Sequence, residues 1–219
     1  MYSQEFWNNI YLDHYLDAPW MDDTSKSVVF NRVKEVVSPL LKSNNDDFYL
    51  LDYGCGNGHM GLLFCEKGAQ VDLSDISDVL VGKLRLEYGD KPNVSIYTTK
   101  TPDDLPKGKQ YDVIIAINVF HHLVPEVWHL FLTKFCERLK PGGLLIISGW
   151  DKEDEVIKQE NNIARYTEHK TWFINDLPNY MKDLSLETTK DEILEIDVKL
   201  FNATRKFRFF VFKNIINKF

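Results

Sequence analysis

The sequence predicts an α/β fold: a mostly parallel sheet with helices on both faces, finished by an antiparallel hairpin. Three observations carry this expectation. From residue 49 onward, strand-like and helix-like patterns alternate, as they do where helices connect parallel strands. The stretch LLDYGCGNGHMG, residues 50–61, runs an apolar strand into a helix through glycines, with Gly56, Gly58 and Gly61 in G-x-G-x-x-G spacing. Near the end of the chain, EILEIDVKLF and RKFRFFVFKN are two strand-like runs separated by the short turn NAT, which pairs them as a hairpin.

In chain order, residues 3–42 read as two helices, the second opening after DDTS. FYLLDYG is a short buried strand ending at the glycines, and HMGLLFCEKG has helical spacing closed by Gly68. AQVDLSD is a second strand, SDVLVGKLRLEYG a helix, NVSIYTT a third strand and YDVIIAINVF a fourth. PEVWHLFLTKFCERLKPGG is an amphipathic helix with proline in its first turn, stopped by Pro141 and two glycines. LLIISGW is the fifth strand. Residues 151–187 are polar, carry aromatics and read as helical pieces before the hairpin.

At 219 residues the chain suits one domain with appendages. Hydrophobic residues make up 44% and charged residues 27%, and no apolar run approaches the roughly 18 to 20 residues that cross a bilayer. The first residues lack a basic start followed by an apolar stretch, so no secretory signal is read and a cytoplasmic location is expected. Cys55, Cys65 and Cys136 form no C-x-x-C pair, which suits a reducing compartment and speaks against structural zinc. The net charge of -7 argues against nucleic acid as a partner. Residues 199–219 hold six basic residues and no acid, but KFRFFVF reads as a strand with its charges on one side. Histidines and acids show no regular ligand spacing, so no metal is expected.

A strand feeding a glycine turn and a helix brings bare backbone to a ligand beside the positive end of that helix. NAD, FAD and S-adenosylmethionine (SAM) proteins share this arrangement. Asp52, two places before Gly54, discriminates among them: a carboxylate is awkward beside a pyrophosphate but can help to place the ammonium group of SAM. LLDYGCGNG resembles the first motif of the class I SAM-dependent methyltransferases, VDLSDIS the second, YDVIIAINVFHHL the fourth strand with its trailing histidine, and RLKPGGLLIIS the turn into strand five. The four motifs span residues 49–149. The resemblance implies a Rossmann-like, seven-stranded sheet with an antiparallel last strand. It further implies a lid over residues 1–45, a SAM-binding core over 46–150, an acceptor-pocket insertion over 151–187 and the hairpin over 188–219.

It also implies roles. Asp52, Gly54, Cys55 and Gly56 approach the cofactor, Asp75 grips the ribose hydroxyls with Ile76 beside it, and Asn118 and Val119 line the cofactor. The acid that relatives carry after strand three to meet the adenine amino group is missing from YTTKTPDD; Thr99 or Thr101 substitutes through a hydroxyl, or Asp103 reaches in. His122 aligns with the family's recurring histidine. It is either a buried imidazole bonded to backbone or the general base for the acceptor, with His121 as the alternative, since adjacent residues leaving a strand point apart. Trp7, Tyr11, Tyr15 and Trp20 form a helical stripe, either core or lid. Trp150, Arg165, Tyr166, His169 and Trp172 lie where relatives build the acceptor pocket. The implied activity is methyl transfer to O, N or C of a small-molecule acceptor by a monomer or homodimer. A non-catalytic SAM-binding module, a methyltransferase of protein or RNA, and an NAD-dependent oxidoreductase are the rival readings.

Overall fold

The computed structural model describes residues 3–13, 24–43, 48–158, 172–181, 183–198 and 202–216. The strands are β1 (Tyr49–Tyr53), β2 (Gln70–Asp75), β3 (Val94–Thr98), β4 (Tyr111–Ile117), β5 (Leu139–Trp150), β6 (Leu186–Val198) and β7 (Ala203–Asn214). They form one seven-stranded sheet in the order β3-β2-β1-β4-β5-β7-β6. β1 to β5 run parallel, and β7 is antiparallel to both neighbours. The helices are α1 (Gln4–Asp13), α2 (Thr24–Ser43), α3 (His59–Cys65), α4 (Asp78–Tyr88), α5 (Pro125–Arg138) and the short α6 (Glu155–Lys158). Among the described residues no helix is long and apolar enough to cross a membrane.

The alternation of side chains along each strand splits the core in two. Val113 and Ile115 of β4, Ile146 of β5, and Phe207, Phe209 and Val211 of β7 face the cluster under α2, α3 and α4. Ile114, Ala116, Leu145, Ile147, Phe210 and Phe212 face the cluster under α5. Each helix delivers a matching stripe: Val29, Val33 and Val37 recur every four residues along α2, and Trp128, Phe131, Leu132 and Phe135 line α5, all of them buried. Burying each such side chain stabilises the fold by about 1.5 to 3 kcal/mol.

Two boundaries differ from the sequence reading. β5 begins at Leu139, ahead of the expected LLIISGW, because Leu139 pairs with Tyr111 before the ladder shifts and resumes at Val113 and Leu144. The intervening KPGG bulges out, with Gly143 so close to the Tyr111 and Asp112 carbonyls that a Cβ would sit 3.1 Å from each. The hairpin is also longer than expected, since β6 starts at Leu186 and gains a bulge between Thr188 and Lys190. β6 is the sheet's outer edge and carries Glu187, Asp191, Glu192, Glu195 and Asp197, charges that discourage edge-to-edge pairing.

Candidate active site

β1 delivers the glycine turn to the carboxyl edge of the sheet. Gly54 has φ +67°, and a Cβ there would lie 2.5 Å from Val119 Cγ2, so only glycine lets the turn pack against the residue that follows Asn118. A Cβ on Gly61 would lie 2.4 Å from Leu73 and 3.2 Å from the Asp52 carboxylate. Its absence lets the Gly61 N–H donate to Asp52 Oδ2 at 2.9 Å. Asp52 is 3% exposed. Burial outweighs that one hydrogen bond and lifts its pKa to about 7. Asp75 ends β2 and accepts from the Gly56 N–H at 3.1 Å and the Ser77 N–H at 3.0 Å, tying the turn to the start of α4. Burial raises its pKa against these bonds. Cys55 sits between the two acids; burial, then Asp75, then Asp52 push its thiol well up, so it is no thiolate nucleophile.

Buried polar atoms without a hydrogen-bond partner among the described residues trace the same edge. They include Ser74 Oγ near the end of β2, Thr99 Oγ1 just past β3, Asn118 Oδ1 just past β4 and Ser148 Oγ near the end of β5. A native fold leaves few such atoms, and these sit at or just past the carboxyl ends of β3, β2, β4 and β5, on either side of β1. Asn118 also adopts φ +58°, a left-handed conformation of a non-glycine residue. The structure separates the three adenine candidates. Thr99 is 2% exposed and its N–H donates to the Asp75 carbonyl. Thr101 is exposed, its N–H donating to Asp104 as the cap of a short 3-10 turn. Asp103 pairs outward with Lys134 at 3.2 Å.

α1 lies across this edge. Gln4 Nε2 donates to the Ile76 carbonyl at 2.9 Å, Ser77 Oγ to Asn8 Oδ1 at 2.7 Å, and Lys83 Nζ to the Tyr11 carbonyl at 2.7 Å. Trp7 stacks on Tyr11 with ring centroids 6.2 Å apart and meets His122 edge-on at 5.1 Å. Tyr11 is buried, its hydroxyl 3.8 Å from where a Gly56 Cβ would be. Burial, then Asp75, then Cys55 raise its pKa. Past Asn118, the short turn Phe120–His122 carries both histidines, their rings 4.0 Å apart. Burial lowers His122 to about 3, and burial, then His122, then Arg205 lower His121. His121 Nε2 accepts from the Trp150 indole at 2.8 Å. Tyr15, Arg165 and Tyr166, with Trp20 and His169, lie outside the described residues.

The methyltransferase-domain family matches residues 26–189, three quarters of the chain. The chain belongs to the methyltransferase-domain family. It is 27% identical over 181 residues to the ubiquinone biosynthesis O-methyltransferase of Rickettsia bellii, covering 78% of this chain and 73% of that one. It is 30% identical over 129 residues to the ribosomal protein L11 methyltransferase of Burkholderia mallei, covering 56% and 40%. In fold it is similar to the magnesium protoporphyrin IX methyltransferase from Synechocystis PCC 6803 with bound S-adenosylhomocysteine (SAH), with TM-score 0.71, 17% identity, and 96% and 97% of the two chains covered.

This methyltransferase is SAM-dependent, and the residues present fit that cofactor. Gly54 and Gly61 keep side chains out of the turn, the Asp52 and Asp75 carboxylates are buried beside it, and Asn118 Oδ1 has no hydrogen-bond partner among the described residues. Sequence reasoning missed Ser74 and Ser148, which read as ordinary strand residues, and Ser77, Gln4 and Asn8, which latch α1. Ser77 is the one with a local signal, because a serine before a helical run is an N-cap; its Oγ accepts from the Leu80 N–H.

Proposed function

We propose that this methyltransferase acts on a small-molecule acceptor held between α1, the histidine turn and the end of β5. The observation that carries the reading is the contact of His122 with both Trp7 and His121, in the turn that follows Asn118 at the end of β4. Bound SAM supplies a methyl group already activated on a cationic sulfur. Asp75, fixed by two backbone N–H groups, meets the ribose hydroxyls; Asp52 meets the ammonium end; Thr99 meets the adenine; Trp7 and Tyr11 exclude water. Positioning of the acceptor supplies most of the rate enhancement in this reading. His122 is neutral above about pH 3 and takes the acceptor's proton. So weak a base suits a proton that leaves with the methyl transfer or after it, when the alkylated atom has become strongly acidic.

A small acceptor also fits the charges of β7. Arg205 faces Asp154, Lys206 faces Glu195 and Glu153, and Arg208 faces Asp191 and Asp151, so these three cations of β7 are paired within the protein rather than laid out for phosphates. The free thiols of Cys55, Cys65 and Cys136 support a reducing cytoplasm. A second reading, a protein acceptor, has the partial likeness to the ribosomal protein L11 methyltransferase behind it. Methyl-labelled SAM, incubated with the enzyme and a cell extract, separates the two after ultrafiltration. Enzyme-dependent label in a small molecule separated from SAM by chromatography supports the proposal, transferred label confined to protein overturns it, and tight SAH binding without transfer favours a non-catalytic module.

A further inference from the structure

Trp150 closes β5 at the active-site edge, and its indole nitrogen is committed: Nε1 lies 2.8 Å from His121 Nε2. Tryptophan can only donate through that atom. His121 Nε2 therefore carries a lone pair and no proton, and the proton of the neutral ring sits on Nδ1. The arrangement is built in from several sides. The Arg205 guanidinium carbon stacks 4.2 Å from the Trp150 ring centroid. The N–H of Trp172 donates to the His121 carbonyl at 2.9 Å, and that of Ile174 to the Trp150 carbonyl at 3.1 Å, so one short irregular segment fixes both residues. Between them Gly149 leaves room for the ring: a Cβ there would sit 3.2 Å from His121 Nδ1. His121 is 2% exposed, and its Nδ1 has no hydrogen-bond partner among the described residues.

We infer that Trp150 is a positioning residue that locks His121 as a neutral imidazole, withdrawing it from proton transfer and leaving that role to His122. The inference rests on the methyl-transfer reading of the same site. With its only lone pair occupied by the indole N–H, His121 cannot take a proton without breaking that bond. The consequence for methyl transfer is electrostatic. A cation on His121 would stand one ring away from His122, whose centroid is 4.0 Å off, and would oppose the cationic sulfur of SAM, which SAH lacks. Among the described residues, the charged and titratable groups that face His121 are His122 from the same turn and Arg205 from β7. Neither is an anion that would favour its protonation. Trp150, an acceptor-contact candidate from the sequence, thus spends its polar atom inside the protein.

The test needs no knowledge of the acceptor. In the 15N-histidine-labelled full chain, long-range nitrogen–proton correlation should show His121 protonated at Nδ1, with Nε2 unprotonated and hydrogen-bonded, down to about pH 5.5. A proton on Nε2 in the wild type overturns the inference by itself, whether or not any variant folds. In Trp150→Phe the ring stays buried but loses the indole donor, so the Nε2–H tautomer should become populated, while SAM and SAH affinities stay within about threefold of wild type. A folded Trp150→Phe protein whose His121 keeps the proton on Nδ1 alone overturns the lock. Failure of the wild type to bind either ligand would instead sink the cofactor assignment and leave the tautomer result standing.

Discussion

Replacing Asp52 with asparagine should make the ligand-free protein more stable at pH 8 while weakening its hold on SAM. Asparagine keeps the shape, and its carbonyl oxygen can still accept from the Gly61 N–H, but it carries no charge. The magnitude follows from the carboxyl's displacement from an ordinary 3.8 to about 7. That is about three units at about 1.4 kcal/mol each, so the buried anion costs at most about 4 kcal/mol. A folded-state pKa above the unfolded one means that the folded protein binds the proton more tightly. The associated stability is present below about pH 4, is lost as pH rises to about 7, and is flat above that. The gap between Asp52→Asn and wild type should therefore be less than half as large at pH 5, about 1.7 kcal/mol, as at pH 8. At about 2 to 4 °C per kcal/mol for a chain of this size, a gain of at least about 5 °C is expected at pH 8. Thermal melts at both pH values without ligand measure it, and calorimetry with SAM should show roughly tenfold weaker binding, the loss of one charge-assisted contact. A variant that melts at or below wild type at pH 8, or a gap that does not widen with pH, would refute the reasoning.

Gly54→Ala should lower the melting temperature and reduce SAH binding below detection by calorimetry, because its Cβ meets Val119 Cγ2 at 2.5 Å and the backbone is left-handed; strain and overpacking together cost about 2 to 5 kcal/mol. Thr99→Val should bind SAH about fivefold more weakly by calorimetry and lose at most about 1.5 kcal/mol of stability, because the hydroxyl's neighbour in the ligand-free fold is the Tyr53 phenol. His122→Ala should keep SAM affinity within about threefold and lose about a hundredfold or more in methyl transfer, measured by SAH release. Deleting residues 1–13 should leave a folded sheet by circular dichroism with little transfer activity, and hydrogen exchange in α1 of the intact chain should slow on adding SAH; exchange already as slow as in β4 without ligand would make α1 ordinary core.

The features legible in the sequence were those encoded over a few neighbouring residues. The strand–glycine–helix turn, the acid ending β2, the succession of β1 to β5 and the terminal hairpin each depend on local pattern, and each is present in the structure, with the starts of β5 and β6 displaced. What escaped depends on distance along the chain. Gln4 reaches Ile76 across 72 residues and Trp150 reaches His121 across 29, and no periodicity records either contact. The first turns of β6 were missed for another reason: Glu187, Thr188 and Thr189 are all exposed, so an edge strand there has no alternation to show. The choice among Thr99, Thr101 and Asp103 was open in the sequence because a two-residue shift carries the chain from a buried position beside Asp75 to an exposed cap.

The site is also where the fold is least at ease, and the two facts have one cause. Asp52 and Asp75 are buried as carboxyls whose burial outweighs their backbone hydrogen bonds. Ser74, Thr99, Asn118 and Ser148 hold polar atoms away from water with no protein partner among the described residues, and Asn118 is held left-handed as well. Each of these features opposes folding by about 1 to 3 kcal/mol, and all gather at the carboxyl ends of adjacent strands. In the proposed reading a ligand that supplies an ammonium group, ribose hydroxyls and an adenine edge would relieve them together, so part of its binding free energy would be the removal of strain and desolvation already present. Occupancy should accordingly stabilise the strand ends and α1 more than the opposite edge of the sheet. There Asp72 is satisfied by Lys109 and Tyr111, and Asp112 by Lys140 and the Tyr49 N–H, without any ligand.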